Sequence, residues 1–180
     1  MATPFRSALD LLAQYAEYHR DRRNIQTHFI GVPMIVFGIG VLLARPVVGL
    51  AGWAFTPAWL VFALVALWYL TRGHLAVGLA STVMVGVLLW LAQQVAGGST
   101  AAWLAWGLGF FVLGWVIQFV GHYYEGRKPA FVDDLVGLLV APMFVALELL
   151  APLAPFKGLM SEIERRAGPT HLRDLAHPAL

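Results

Sequence analysis

The sequence contains no cysteine, and this absence removes several kinds of protein from consideration. Disulfide frameworks, thiolate metal sites and cysteine nucleophiles are all excluded. The sequence also lacks the HExxH, GxSxG and Walker motifs, so it gives no support to the common metalloprotease, serine hydrolase or nucleotide sites. Any chemistry that the chain carries must therefore rest on its histidines, carboxylates and other nitrogen and oxygen groups.

Charge is also scarce and unevenly placed. Charged residues make up 12% of the chain and hydrophobic residues 59%, and no Asp, Glu, Lys or Arg occurs between Arg72 and Glu125. A soluble domain of 180 residues cannot bury so much apolar surface, whereas a lipid bilayer accepts it. The sequence therefore predicts an all-α integral membrane protein, a helical bundle of four to five transmembrane helices preceded by an amphipathic interfacial helix.

The apolar runs divide a single membrane domain, residues 1–160, into spans. Helical spacing with one polar face over residues 5–20 predicts a helix that lies along the membrane interface. Asn24 is the expected N-cap of the first span. Pro142 and Glu148 interrupt the last apolar run, and both a fifth span and a re-entrant hairpin fit it. The predicted spans are residues 25–44, 53–70, 74–95, 101–123 and 135–153, and a polar tail follows at 161–180.

Basic residues are distributed unequally between the two ends of these spans. The amino-terminal segment carries four arginines, and Arg72, Arg127 and Lys128 fall at the same end, whereas Arg45 is alone at the other. The positive-inside rule places the basic end in the cytoplasm. Topology also explains the pI of about 9.2, so no nucleic-acid partner is expected. Residue usage favours a bacterial inner membrane over the endoplasmic reticulum.

The first of two polar stretches at this end covers residues 15–33 and contains His19 and His28. On one straight helix, two residues nine positions apart point to opposite faces. The charged break between them removes this objection, because a corner between two helices can aim both rings inward. Taken singly, each histidine is more often an interfacial residue bonded to water or to a carbonyl group.

The second polar stretch covers residues 118–135 and contains His122, with Glu125 three residues later on the same helix face. A histidine and a carboxylate at the end of a membrane helix suit a metal site. The alternative is a frayed helix end in which Glu125 pairs with Arg127 or Lys128. Neither stretch alone decides between these interpretations.

The chemistry of the histidines limits the metal. Three or four imidazoles without a thiolate favour Fe, Zn, Cu or Ni over Mg or Ca. Iron(II) chemistry with O2 and zinc hydrolysis compete, and a bis-histidine haem protein stays open. No two histidines are three or four residues apart, which argues against the di-iron hydroxylases and desaturases of membranes.

The two stretches together resemble a known family. The first reads YxxYHxxxxNxxxHxxGVP from residue 15, and the second reads QFVGHYYEGRKPAFVDDL followed by APMFVALE. In this order they resemble the Mpo1-like family of small membrane proteins, over nearly the whole chain to about residue 156. The resemblance implies an Fe(2+)-dependent dioxygenase that shortens 2-hydroxy fatty acids by one carbon, in fatty acid α-oxidation.

The resemblance also implies roles for the residues of the two motifs. His74 lies outside both motifs and is a candidate ligand through the topology alone. Asp133 and Asp134 are expected to cap the last helix, and His171 and His177 in the tail are expected to have no metal role. The motif residues are His19, His28 and His122 as metal ligands, with Glu125 and Asn24 beside them as supporting or catalytic groups.

The expected partners are a 2-hydroxy fatty acid, O2 and the lipid bilayer. The acyl chain would lie among the helices, with the 2-hydroxyl and carboxylate at the metal, and Arg127, Lys128 or Arg23 would attract the carboxylate. The substrate itself can supply the electrons, so no 2-oxoglutarate is needed. The alternative from another class is a non-enzymatic membrane protein, namely a scaffold, a small carrier or a haem binder.

Overall fold

The structure is a computed structural model that describes residues 5–50, 53–132 and 135–176. Asp133 and Asp134, the predicted helix caps, and His177, expected to have no metal role, lie outside these ranges. Regular structure is almost entirely helical, which confirms the all-α fold class; a short antiparallel hairpin of β1 (Val48–Leu50) and β2 (Trp53–Phe55) is the exception among the described residues. The helices are α1 (Ala8–Ala16), α2 (Arg22–Ala44), α3 (Pro57–Leu70), α4 (Leu75–Ala96), α5 (Thr100–Glu125), α6 (Val136–Leu150) and α7 (Ala154–Ala167).

Helices α2 and α5 form the most extensive contact in the bundle, and glycines set their separation. A β-carbon added at Gly31 would lie 2.9 Å from the carbonyl oxygen of Gly114, and one added at Gly38 would lie 2.7 Å from that of Gly107. Gly31 and Gly38 are about two helical turns apart on α2, and Gly107 and Gly114 are equally far apart on α5. Small residues that let two backbones approach are typical of membrane helix pairs. Gly107 and Gly114 of α5 therefore allow α2 to approach closely.

Gly109 provides a matched control for this contact, because a β-carbon added there meets nothing within 4 Å. We expect Gly114→Ala to destabilise the protein by about 1–3 kcal/mol, since the methyl group would lie 2.7 Å from Cγ1 of Ile35. Gly109→Ala should be neutral or slightly stabilising, because alanine is the better helix former. Thermal unfolding in detergent, followed by circular dichroism, measures both. Equal losses for the two variants would contradict the proposed packing role.

Three helices of the described chain, α2, α4 and α5, are long and apolar enough to cross a membrane. The predicted span 53–70 differs at its start, because Trp53–Phe55 pairs as a strand and α3 begins at Pro57, a residue suited to the first turn of a helix. The predicted span 135–153 is one helix, α6, with Pro142 inside it, and α7 follows at an angle of 116°. Pro152 and Pro155 lie at this bend and account for the break.

Helix α1 is shorter than the predicted interfacial helix over residues 5–20. It begins after Ser7, whose Oγ accepts a hydrogen bond from the backbone N–H of Asp10 at 3.2 Å. It ends at Ala16, where tighter turns follow, and the N–H of His19 donates to the carbonyl oxygen of Ala16 at 3.0 Å. This tightening directs the chain out of α1 and toward the start of α2.

The predicted polar tail is joined to the body of the protein over its described part. Helix α7 packs against α1, and residues 168–173, which we call the carboxyl-terminal strap, run beside the α1–α2 corner. The N–H of Arg22 donates to the carbonyl oxygen of His171, and the N–H of His171 donates to that of Arg20, both at 2.9 Å. These backbone hydrogen bonds fix the described strap beside the corner.

Candidate metal centre

The polar segments that the charge pattern assigned to one side do meet at one end of the bundle. The N–H of Ala8 donates to the carbonyl oxygen of Arg72 at 2.8 Å, which joins the start of α1 to the turn before α4. Asp21 caps α2 by accepting a hydrogen bond from the N–H of Arg23 at 2.8 Å. The prediction of Asn24 as the N-cap was wrong, since Asp21 starts the helix earlier and leaves Asn24 in its first turn.

Glu125, the last residue of α5, fastens the α1–α2 corner to that helix. Its buried carboxylate accepts hydrogen bonds from the N–H of Arg20 at 3.0 Å, the N–H of Asp21 at 2.8 Å and Nδ2 of Asn24 at 3.0 Å. Both oxygens of the carboxylate are thus bonded to the corner, where the sequence left open an ion pair with Arg127 or Lys128. A carboxylate that accepts hydrogen bonds from several N–H groups holds them firmly in place, because each of these hydrogen bonds is charge-assisted.

Arg20 also holds the corner in place, and its side chain is buried as well. Its Nε donates to the carbonyl oxygen of Ala16 at 2.8 Å, and Nη1 donates to that of Gly168 in the strap at 2.9 Å. Its Nη2 lies 4.0 Å from the carboxylate of Glu148 on α6. An ionisable group within an apolar run needs such a partner, and Arg20 supplies it for Glu148.

Three buried imidazoles meet beside this corner: His19 from the corner itself, His28 from α2 and His122 from α5. One ring nitrogen from each lies within 4.8 Å of the other two. The ring centroids are 4.4 Å apart for His19 and His28, 5.0 Å for His19 and His122, and 5.3 Å for His28 and His122. Such a group can hold a metal ion, and the assignment of these residues as ligands stays a prediction.

The hydrogen bonds of the first two imidazoles leave their other nitrogens facing each other. Nδ1 of His19 lies 2.7 Å from the carbonyl oxygen of Tyr15, and Nδ1 of His28 lies 2.8 Å from that of Asn24. A carbonyl oxygen only accepts, so each Nδ1 carries the proton and each Nε2 carries a lone pair. The two Nε2 atoms are 3.0 Å apart. Two lone pairs at this distance repel each other unless a cation lies between them.

The third imidazole and the surroundings agree with a cation site. Nδ1 of His122 is buried and has no hydrogen-bond partner in the described part of the chain. The ring of Tyr15 stacks on that of His19, with centroids 4.1 Å apart, and excludes water from one side. Desolvation, with the nearby imidazoles of His28 and His122, lowers the pKa of His19 well below 6.5. His19 is therefore neutral at pH 7, which is the form that binds metals.

An apolar cavity of about 210 Å³ adjoins the imidazoles. His28 and His122 line its polar end, and Val32, Val36 and Ile39 continue the lining along one face of α2. Eleven residues of helix from His28 to Ile39 correspond to about 16 Å. Among the described residues the lining contains no charged side chain. The cavity therefore suits a long apolar chain with a polar head beside the imidazoles.

The structure places the other predicted site residues outside the group of three imidazoles. Nδ1 of His74 accepts a hydrogen bond from the N–H of Val77 at 3.3 Å and helps to cap α4. Arg23 is paired with Asp21 at 2.7 Å. The two remaining cations line a polar pocket at the rim with Glu17 and Tyr18; they are Arg127 and Lys128.

Two contributors to the site are not evident from residue types alone. Tyr15 precedes His19 by four residues, so the spacing of neighbours on a helix was a signal that the two rings could stack. Gln118 lies one helical turn before His122 and lines the cavity, but an amide in a helix has many structural uses. The strap has no motif or periodicity that would reveal its position.

The fold and the site together define a helical membrane protein with a buried group of three imidazoles at one end. The chain matches the family described as 2-hydroxy-palmitic acid dioxygenase Mpo1-like over residues 5–153. It is also 33% identical over 163 residues to 2-hydroxy-palmitic acid dioxygenase MPO1 of Saccharomyces cerevisiae, covering 87% of this chain and 88% of the yeast protein. The chain therefore belongs to the Mpo1-like family, as the two motifs indicated. No solved structure matches it.

Proposed function

We propose that the protein is a dioxygenase of 2-hydroxy fatty acids that uses Fe(2+) held by His19, His28 and His122. The observation that carries this proposal is the position of the three buried imidazoles at the polar end of an apolar cavity. Membership of the Mpo1-like family and the activity named for the yeast relative supply the substrate class. The proposed product is a fatty acid one carbon shorter, as in α-oxidation.

The donor set supports a transition metal. Two nitrogen ligands about 2.1 Å from one ion and at right angles to each other are about 3.0 Å apart, and the Nε2 atoms of His19 and His28 have this separation, 3.0 Å. His19, His28 and His122 would hold such an ion as three protein ligands, the number found in catalytic rather than structural sites. A haem is disfavoured, because the same two atoms are too close for a porphyrin plane to pass between the rings.

The overall reaction balances without another reductant. A 2-hydroxy acid and O2 give the acid one carbon shorter, CO2 and water. The bond between C1 and C2 breaks, C1 leaves as CO2, and C2 becomes the new carboxyl carbon. Every electron that O2 takes up comes from these two carbons. Iron(II), when bound, supplies the one-electron chemistry through which O2 reacts with a closed-shell substrate.

The residues of the chain supply binding and orientation. All three proposed ligands are neutral imidazoles, so the charge of a divalent ion is left for an anionic substrate head to balance. The acyl chain would lie in the cavity, whose length along α2 is about 16 Å. That is about half of a hydrocarbon core of about 30 Å, the depth that one lipid acyl chain occupies.

The rim of the site suits the entry of an acid from one leaflet. Arg127 and Lys128 line the polar pocket there, where Nη1 of Arg127 donates to the carbonyl oxygen of Glu17 at 2.9 Å, and their positive charge would attract a carboxylate. Arg23 is paired with Asp21. Asn24 and Glu125 support the ligands, since the carbonyl oxygen of Asn24 orients His28. The arginine distribution favours the cytoplasmic side for this rim, and residue usage favours a bacterial inner membrane.

Metal analysis and product analysis of the detergent-purified protein test the proposal. We expect non-haem iron in stoichiometric amount, no Soret band, and conversion of 2-hydroxyhexadecanoic acid to pentadecanoic acid that consumes O2. Hexadecanoic acid is the control substrate, and it should not be shortened because it lacks the 2-hydroxyl group. A haem spectrum would favour a haem binder, and iron-loaded protein that forms no shortened acid would favour the carrier or scaffold alternative.

A further inference from the structure

We propose that Gln118 positions the substrate by donating a hydrogen bond from its side-chain amide to the carboxylate of the fatty acid. This inference rests on the proposed function for the identity of the substrate. Gln118 is 3% exposed and lines the cavity together with His28 and His122. Its Nε2 is a buried donor without a hydrogen-bond partner among the described residues.

A buried amide donor without an acceptor is costly, so its presence at a cavity calls for a ligand. Leaving such a group unpaired destabilises a protein, and most buried polar groups are therefore bonded. The residue lies one turn before His122 on α5, on the face that carries the proposed ligand. An acceptor atom in the cavity beside the imidazoles would satisfy this donor. A substrate carboxylate at the metal provides such an atom.

The neighbouring helix fixes the position of this amide. A β-carbon added at Gly31 of α2 would lie 2.8 Å from Nε2 of Gln118 and 2.9 Å from the carbonyl oxygen of Gly114. The absence of a side chain at Gly31 thus leaves the space that the amide occupies. A donor held in this way is already oriented, and binding does not have to order it.

The lining of the cavity explains why the donor is neutral. No Lys or Arg is among its described lining residues; the other polar side chains there are Tyr15, His28 and His122. A cation would pair with the carboxylate strongly, but it would oppose the binding of a divalent metal nearby. An amide N–H selects for an oxygen acceptor without adding charge. We therefore assign Gln118 to binding the carboxylate of a long-chain acid inside the cavity. Arg127 and Lys128 at the rim would attract the same carboxylate from solution.

Binding to metal-free protein tests this assignment without turnover. A fatty acid brominated close to its carboxylate should quench the fluorescence of Trp115, which lines the cavity one turn from Gln118, and the matching bromoalkane lacks the carboxylate. We expect Gln118→Met to bind the acid about 10- to 100-fold more weakly and the bromoalkane as well as the unaltered protein does. Gln118→Glu has a side chain of similar length that repels the carboxylate, so this variant should bind the acid at least as weakly as Gln118→Met does. Trp115→Phe removes the fluorescence of the tryptophan that lines the cavity, so the quenching that disappears in this variant is the signal from the cavity.

Gln94→Met is the matched control, because Gln94 is on the surface at the far end of α4 and its Nε2 donates to the carbonyl oxygen of Trp90 at 3.1 Å. This control should bind both ligands normally. In iron-loaded protein, Gln118→Met should raise the KM for 2-hydroxyhexadecanoic acid with the iron content unchanged and the Tm not lowered. Unaltered acid binding in both Gln118 variants, or equal loss of acid and bromoalkane, overturns the assignment.

The same experiment separates this inference from the proposed function. If the unaltered protein binds the acid through Gln118 but forms no shortened product, the proposed function fails and carboxylate recognition stands. If product forms and acid binding does not depend on Gln118, the inference fails and the proposed function stands. If the metal-free and iron-loaded proteins bind no acid at all, the inference is overturned.

Discussion

His28→Ala is expected to abolish both iron binding and dioxygenase activity, and His19→Ala and His122→Ala should do the same. Each variant removes one of the three nitrogens that lie within 4.8 Å of one another. Loss of a group that merely supports a ligand costs about 10- to 100-fold in metal affinity. Loss of a ligand itself should therefore cost at least about 100-fold. Iron content after purification and activity with 2-hydroxyhexadecanoic acid measure the effect.

His74→Ala and His171→Ala are the matched controls, since both remove an imidazole outside the buried group. They should retain full iron content and activity. Added iron(II) should also raise the Tm of the unaltered protein and of both controls, because a metal that binds the native state stabilises it. It should leave the Tm of the three ligand variants unchanged. Any of these three that retains iron and activity is not a ligand.

Glu125→Ala is expected to produce the largest loss of stability, about 3–5 kcal/mol. The substitution leaves three N–H groups without their acceptor, those of the Arg20 and Asp21 backbone and the Asn24 side chain. Glu125→Gln should cost less, about 2 kcal/mol, because the amide oxygen still accepts but its NH2 group faces other donors. Unfolding in detergent followed by circular dichroism measures both variants.

The same substitutions separate the supporting role of Glu125 from a ligand role. In Glu125→Gln we expect iron affinity to fall about tenfold, because the corner that carries His19 loosens while all three imidazoles remain. Glu17→Ala is the control, since the side chain of Glu17 is exposed. Unchanged stability in Glu125→Ala would show that the corner is held by other contacts, most directly by Arg20 and the strap.

The sequence was a good guide wherever a signal is local. Long uncharged runs predicted α2, α4 and α5, because the hydrophobic effect of the bilayer acts on each run separately. The spacing of His122 and Glu125 predicted their common helix face. The two motifs, in order, identified the family, and the structure brings their three histidines together.

Features that depend on distant contacts were not predictable in this way. The carboxylate of Glu125 could pair with nearby cations or with the corner, and tertiary packing selects the corner. The strap pairs through backbone groups, which every residue except proline carries, so its residue types do not reveal its partner. Asn24 and Asp21 are both good N-caps, and the position of the corner decides between them.

The hydrogen bond between Arg20 and Glu125 joins residues 105 positions apart, which has a consequence for biosynthesis. At a synthesis rate of about 5–20 residues per second, Glu125 leaves the ribosome about 5–20 s after Arg20. The strap that braces the same corner arrives later still. During membrane insertion the first two histidines therefore lack the third imidazole and the groups that orient them. We expect the newly made protein to acquire its metal only after Glu125 and the strap have been synthesised.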